Sequence, residues 1–480
     1  MIAMRVADVV GATGAELLAG DASTTFAGME IDSRRIGKDM AFVAFKGERV
    51  DGNAYAAQAL RDGASLVVLT DEPDPEVLEA ARGTGGAVLR APEDDGEEFM
   101  LRTAAAWRKA NPQWLVVGVT GSVGKTTTKE MLAAAIGASR RVYATEGNLN
   151  NLLGVPLTLM RAPQDAEVLV VEMGMNHAGE LRRIAACARP AVAVITNVGT
   201  SHIGNLGSRE GIARAKAEVV GGLSGVAGLR PTLVLTASDD YCDYIAHEFA
   251  EPAGVDVLTV GSADASCVWA EDVSVDEDGL PSFTLMREGE TPQQGRLSLP
   301  GRAMVFDALS ALGAVHALGL PMDAALRALG AMRPTSMRLE VCQNEGTPRV
   351  INDSYNASPS SIAAALDVLC SMACEGRRVA VIGQIGELGD ESQRLHGLVG
   401  AYVAAKDVDL LVLVGDEGAR AMYEGATTMG FSQDRVEVFP TALDAARTIA
   451  PVLEENDVVL VKASRAVGLE LFAQEVLGSC

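Results

Sequence analysis

Gly118-Val-Thr-Gly-Ser-Val-Gly-Lys-Thr126 is the stretch on which the reading of this chain turns. An apolar segment from Trp114 precedes it and reads as a buried strand. Thr127-Thr-Lys-Glu-Met-Leu-Ala-Ala-Ala-Ile136 follows and reads as a helix. Strand, glycine-rich turn with Lys-Thr, then helix is the layout of a phosphate-cradling loop. In such a loop backbone N–H groups and the helix N-terminus hold polyphosphate oxygens, and the helix dipole adds to the attraction. Lys125 is expected to reach the terminal phosphates and the Thr126 hydroxyl to ligate Mg2+. The common pattern has a Gly where this chain has Val119, so what remains is the shorter Gly121-Ser-Val-Gly-Lys-Thr126. Thr120, Gly121, Ser122, Val123, Gly124, Lys125 and Thr126 form the expected cradle.

A chain of 480 residues exceeds one ordinary core, so several domains are expected. Hydrophobic residues make up 48 % and aromatic residues 4 %, which points to a globular protein built from Ala, Val, Leu and Gly. The formal net charge of −24 argues against nucleic acid or an anionic membrane as the main partner. Anionic substrates stay possible, because a phosphate site is a local arrangement of cations and N–H groups. The cysteines, at 187, 242, 267, 342, 370, 374 and 480, are odd in number and contain no CxxC. Cys370 and Cys374 lie one helical turn apart in an apolar run, and are read as buried free thiols or a shared metal pair. A reducing, cytoplasmic location is expected. No secretory signal and no apolar run of about 18 residues is read, so no membrane insertion is expected.

Three regions follow, 1–97, 98–332 and 333–480, and the fold class is α/β throughout. The first holds strand-like Met40–Phe45 and Ser65–Leu69 with helical Ala54–Leu60 between them. The charged Glu93-Asp-Asp-Gly-Glu-Glu98 marks a junction. In the second, Leu115–Val119, Val168–Val171, Val192–Thr196 and Thr232–Leu235 read as strands separated by helices. That alternation is the signature of βαβ units and a parallel sheet. Alternating Ser282–Met286 suggests an antiparallel excursion, and Met304–Leu318 a helix. The third region again alternates strand and helix and reads as a second, Rossmann-like α/β unit.

Several polar groups fall at strand ends, where open α/β sheets bind ligands. Glu172 closes Val168–Glu172 beside the loop; it reads either as a Mg2+ carboxylate or as a solvated strand-end acid. His202 follows another strand in Thr196-Asn-Val-Gly-Thr-Ser-His202, as a site residue or a structural hydrogen-bonder. Lys216, in Gly211–Val220, reads on its own as a surface lysine of a helix. Asp353 ends Arg349–Asp353 and suits either a ribose hydroxyl or a helix cap. Asn148-Leu-Asn-Asn151 forms a polar turn or an amide cluster that reads a ligand.

With these pieces the chain resembles the Mur ligases, ATP-dependent amide-forming enzymes of peptidoglycan precursor synthesis. The segments that carry the resemblance are Lys46-Gly-Glu-Arg-Val-Asp-Gly52, Gly147-Asn-Leu-Asn-Asn151, Glu172-Met-Gly-Met-Asn-His177, Asn352-Asp-Ser-Tyr-Asn-Ala357 and Val461-Lys-Ala-Ser-Arg465. They span the whole length, and within the family they resemble the dipeptide-adding, MurF type. No Asp-Asn-Pro-Arg motif of the diaminopimelate-adding relatives is present.

The resemblance implies a UDP-sugar-binding domain at 1–97, an ATPase domain at 98–332 and a ligase domain at 333–480. It implies ATP and Mg2+ as cofactors, with UDP-N-acetylmuramoyl-tripeptide and D-alanyl-D-alanine as substrate partners, in a monomer. Lys125, His202, Lys216 and Arg338 are the implied catalytic residues, and Thr126, Glu172, His202 and a CO2-derived carbamate on Lys216 the implied metal ligands. Asn148, Asn151 and Asp353 join the nucleotide cradle, with Asp353 on the ribose. Ser33, Arg34 and Lys46 take the uridine diphosphate end, and Tyr355, Asn356 and Lys462 lie near the dipeptide.

Three positions depart from the family pattern: Asp307 where relatives have Asn, Gly204 where an acid is common, and Gln384 where relatives have Asp. Two alternatives are a related ligase that adds a single amino acid and a P-loop nucleotide switch. The switch needs an Asn-Lys-x-Asp after a strand, and Thr196-Asn-Val-Gly199 does not match it.

Overall fold

The structure, a computed structural model, describes residues 3–47, 50–226, 228–261 and 263–478. Cys480 and part of the Lys46–Gly52 segment, Glu48 and Arg49, lie outside the described residues. Three mixed or parallel sheets follow one another along the chain.

The first sheet has five strands in the order Glu16–Ala19, Ala87–Arg90, Leu66–Leu69, Ala41–Val43, Met29–Glu30. All its pairs are parallel except the first. Helices Ala56–Arg61 and Pro75–Thr84 cover one face through Phe42, Val67, Leu69 and Val88. Within the charged segment expected to mark a junction a helix begins: Asp95 accepts the Glu98 N–H at 2.9 Å and caps Gly96–Ala110. That helix buries Phe99, Met100 and Trp107 and packs on the helices Gly154–Arg161 and Glu180–Ala188 of the next unit.

The central sheet has nine strands, with Leu115–Thr120 between Val168–Glu172 and Val192–Ile195. Its central strands, these three, run as nearly uninterrupted buried stretches because helices cover both faces. Val168 and Val170 point towards Lys125–Gly137 and Met304–Ala317, whereas Leu169 and Val171 point the other way. The expected antiparallel excursion is Pro281–Arg287, paired on both sides in antiparallel fashion. Asp256–Val260 is a further parallel strand that periodicity did not single out, because only two of its five side chains are buried.

The last sheet has six strands in the order Glu340–Cys342, Arg349–Asn352, Val458–Lys462, Arg378–Gly383, Leu410–Val414, Val436–Phe439. Only its first pair is antiparallel. Cys370 and Cys374 do not share a helix: Pro359–Ser371 ends between them, and both are partly exposed rather than buried. Among the described residues no group of His, Cys, Asp or Glu is arranged to hold a metal by itself, and no helix is long and apolar enough to cross a membrane.

Candidate active site

Strand pairing sets the position of the acid beside the phosphate loop. Val168–Glu172 runs parallel to Leu115–Thr120 in a register that sets Glu172 against Val119. The carboxylate therefore lies at the same sheet edge as the loop, 2 % exposed. The Glu172 N–H donates to Thr145 Oγ1 at 3.0 Å, and Asn150 Nδ2 donates to Glu172 Oε1 at 2.7 Å. Glu172 Oε2 is buried and without a hydrogen-bond partner. Such an oxygen is costly to leave empty, so the donor set suits a cation: one oriented, half-satisfied carboxylate in the cleft that Thr126 of the loop also lines.

The loop itself needs its two glycines. Gly121 has φ 150°, and a Cβ there would lie 1.8 Å from Thr196 Oγ1. Gly124, at φ 84°, caps the helix Lys125–Gly137, and a Cβ there would lie 2.4 Å from Asp307 Oδ1. Asn197 grips the turn. Val123 N–H donates to Asn197 Oδ1 at 3.0 Å, Asn197 Nδ2 donates to Val123 O at 2.9 Å, and Ser122 N–H donates to the Asn197 carbonyl at 3.0 Å. The expectation that the Ser122 and Val123 amides cradle phosphate meets a competing fact: in this conformation Asn197 takes both. The start of the helix, at Lys125 and Thr126, is the part of the cradle open to a ligand. Lys125 Nζ donates to Gly121 O at 2.8 Å, folded back over the loop.

Ser122 to Thr126, Asn148, Asn151, Glu172, His202, Arg338, Asp353, Tyr355, Asn356 and Lys462 all line one cleft of about 950 Å³ between the central and last sheets. Thr120 and Gly121 lie behind it. Ser33 and Arg34, on a short 3-10 turn, and Lys46, just past the strand Ala41–Val43, lie in the first unit and do not line it. Arg34 folds back onto Asp32, with Nη2 2.7 Å from Oδ2, and holds the Asp32 carboxyl down at about 2. Lys46 is exposed, 3.9 Å from Asp71.

Lys216 corrects the sequence reading most sharply. It lies on the helix Arg209–Ala217 yet is 1 % exposed, not a surface lysine. Burial first, and then the nearby Lys125, push its pKa well below the ordinary lysine value, with Asp239 opposing. Lys125 is lowered too, by burial first and with Arg338 adding to it, while Glu172 and Glu387 oppose. These shifts tie Lys125, Glu172, Lys216 and Arg338 into one electrostatic neighbourhood.

Arg338 stacks on the Tyr355 ring at 4.2 Å. Its neighbours Met337 and Leu339 both have positive φ, 60° and 47°, a strained conformation for these residues. Leu339 N–H donates to Asp353 Oδ1 at 3.2 Å, and Lys462 Nζ lies 2.5 Å from Asp353 Oδ2. Asp353 and Lys462 thus form an ion pair in the wall of the cleft.

Of the asparagine turn, Asn151 Oδ1 caps the start of Gly154–Arg161, accepting from Gly154 N–H at 2.8 Å, while Asn148 is exposed. The amide that holds an acid is Asn150. Asn150, Asn197 and Glu387 are the residues sequence reasoning missed. All three lie inside segments already singled out, Glu387 in the stretch 383–389 around Gln384, but nothing in their spacing says which side chain points where. Of the departures, Asp307 is buried under Gly124 with Thr128 Oγ1 3.3 Å away, and burial pushes its carboxyl up to about 7. Gly204 abuts Gly389, leaving no room for a side chain. Gln384 Oε1 lies 3.4 Å from the Asp416 N–H.

Fold and site define a class: three-part α/β proteins built around a phosphate loop whose cleft is closed by a second α/β sheet. Family models agree along the chain. Residues 25–95 match the Mur ligase family catalytic domain, 119–315 the Mur ligase middle domain, and 337–465 the Mur ligase glutamate ligase domain. UDP-N-acetylmuramoyl-tripeptide–D-alanyl-D-alanine ligase of Bacillus subtilis is 33 % identical, over 95 % of this chain and 94 % of its own. The protein of that name from Escherichia coli is 29 % identical, over 98 % and 97 %. A crystal structure of MurF from Acinetobacter baumannii superposes with a TM-score of 0.87 at 28 % identity, covering 99 % of both chains. The chain belongs to the Mur ligase family.

Proposed function

We propose that this chain is an ATP-dependent ligase that joins D-alanyl-D-alanine to UDP-N-acetylmuramoyl-tripeptide in peptidoglycan precursor synthesis. The observation that carries the reading is end-to-end similarity to ligases of that name, in a chain whose phosphate loop shares a cleft with Glu172 and whose buried Lys216 feels the charge of Lys125. The terminal carboxylate of the tripeptide attacks the γ-phosphorus of ATP, ADP leaves, and an acyl phosphate forms. The dipeptide amine then attacks the acyl carbon, loses a proton, and phosphate leaves.

In this reading Lys125 and Arg338 face the phosphoryl charge, and the closed cleft excludes water. Thr126, Glu172 and His202 would hold Mg2+, which when bound neutralises charge on the transferring group. Lys216 supplies a further carboxylate after its neutral amine adds to CO2 and releases a proton, converting a buried neutral amine into an anion. Asp353 takes the ribose, with Asn148 and Asn151 at the edge of the nucleotide. Ser33, Arg34 and Lys46 take the uridine diphosphate, and Tyr355, Asn356 and Lys462 border the dipeptide. A cytoplasmic monomer accords with this role; sedimentation velocity measures the monomer directly.

Phosphate release from ATP in the presence of the UDP-linked tripeptide is the deciding assay. Release that requires D-alanyl-D-alanine supports the reading. Release only with a single amino acid replaces it with another amide ligase of the family, and a preference for GTP argues for a nucleotide switch.

A further inference from the structure

Two loops from different sheets meet at the mouth of the cleft, and each presents a strained residue to the other. His202, after the strand Val192–Ile195, has φ 62°, and Glu387, after Arg378–Gly383, has φ 64°. Neither conformation is comfortable for a residue with a side chain, and both persist only where surroundings over-determine them. His202 Nδ1 lies 2.7 Å from Glu387 Oε2, a short but oblique contact off the hydrogen-bond line. Glycines sit directly beside it. A Cβ on Gly204 would lie 2.9 Å from the Gly389 nitrogen, and a Cβ on Gly389 would lie 2.9 Å from the Gly204 Cα. Both loops are braced from behind. Ile385 N–H donates to His396 Nε2 at 2.8 Å and Gly386 N–H to Ser464 Oγ at 2.9 Å, while Ser201 Oγ donates to the Ser122 carbonyl at 3.2 Å.

We propose that Glu387 is a positioning residue for the phosphate cleft, reaching from the last sheet to hold the His202 imidazole. His202 is then oriented only when the two sheets are closed on each other. The glycine pair sets the closest approach, the carboxylate sets the ring, and the two strained backbones are the cost of bringing them face to face. The ring's role in the cleft rests on the ligase reading; the contact itself does not.

The test separates the two. The chain has five histidines, so imidazole nitrogen-15 signals can be assigned. In unliganded protein with the imidazole neutral, the carboxylate 2.7 Å from Nδ1 favours, by its charge rather than by an aligned hydrogen bond, the tautomer with the proton on Nδ1. Glu387→Gln, nearly isosteric, is expected to shift His202 towards the Nε2–H tautomer. Gly389→Ala is expected to do the same by pushing the loops apart with no change of charge. If the His202 signals stay unchanged in Glu387→Gln, the inference is overturned, whatever the activity.

In turnover, Glu387→Ala is expected to lower kcat about tenfold in the parent protein but less than twofold on a His202→Ala background, because residues that act through one another are not additive. Equal losses on both backgrounds also overturn it. A tautomer shift in a protein that shows no turnover with the dipeptide faults the ligase reading and leaves the contact standing.

Discussion

Lys216 is 1 % exposed with Lys125 as its electrostatic neighbour, so its charged form is disfavoured twice. A neutral amine is nucleophilic where an ammonium is not, which is why burial of this residue matters for chemistry as well as packing. Lys216→Ala is expected to remove most ligase activity, with part of it restored by a small free carboxylate such as formate. Full activity without rescue would refute the carbamate role. Asp307 is the converse case, an acid that burial raises to about 7 against an ordinary 3.8. With the folded pKa above the unfolded one, its contribution is fully present below about pH 4 and is lost as pH rises towards 7. Asp307→Asn is therefore expected to raise thermal stability more at pH 8 than at pH 5, as read by calorimetry. An equal gain at both would show that the carboxyl titrates normally.

At the scale of the element, the phosphate loop is a short turn held by a residue from another strand. Asn197 exchanges side-chain hydrogen bonds with Val123 in both directions and accepts from Ser122 through its own carbonyl. Asn197→Ala removes the side-chain pair and leaves the carbonyl contact. It is expected to cost about 1–3 kcal/mol in urea unfolding and to weaken ATP binding by calorimetric titration. Unchanged affinity would mean that the loop holds its shape without it. The elements that sequence showed well are those buried on both faces, such as Val168–Glu172 and Val192–Ile195, whose apolar runs leave no other reading. Val436–Phe439 was not read as a strand because it lies at a sheet edge with two side chains exposed, so its pattern carries little hydrophobic signal. Lys216 was misjudged for a related reason: polar and charged neighbours on Arg209–Ala217 look like a solvated helix until the packing of that helix is known.

At the scale of the whole molecule, the cleft is bounded by two sheets joined through the strained turn at Met337–Leu339. His202 and Glu387, and Gly204 and Gly389, meet across it, so the arrangement is a closed one. The two units also meet where Ala373 N–H donates to Glu277 O at 2.9 Å and Arg349 Nη1 lies 3.5 Å from Asp278 Oδ1; without ligands, opening about these contacts is expected. Small-angle scattering is expected to give a larger radius of gyration for the free protein than with an ATP analogue and the UDP-linked tripeptide bound; identical radii would count against closure. Sequence alone determined the α/β class, the order of the three sheets and the phosphate loop. These follow from local pattern: apolar runs of strand length, a glycine turn and a helix start, each written in contiguous residues. It also marked Glu172, His202 and Asp353 by their strand ends, and Arg338 only through the family resemblance. Tertiary structure alone decided that Lys216 is buried, that Asp353 and Lys462 pair, that Asn150 and Asn197 hold the acid and the loop, and that Glu387 faces His202. Each of those depends on groups far apart in the chain, and no short-range pattern encodes which distant side chain fills a given space or removes a given charge from water.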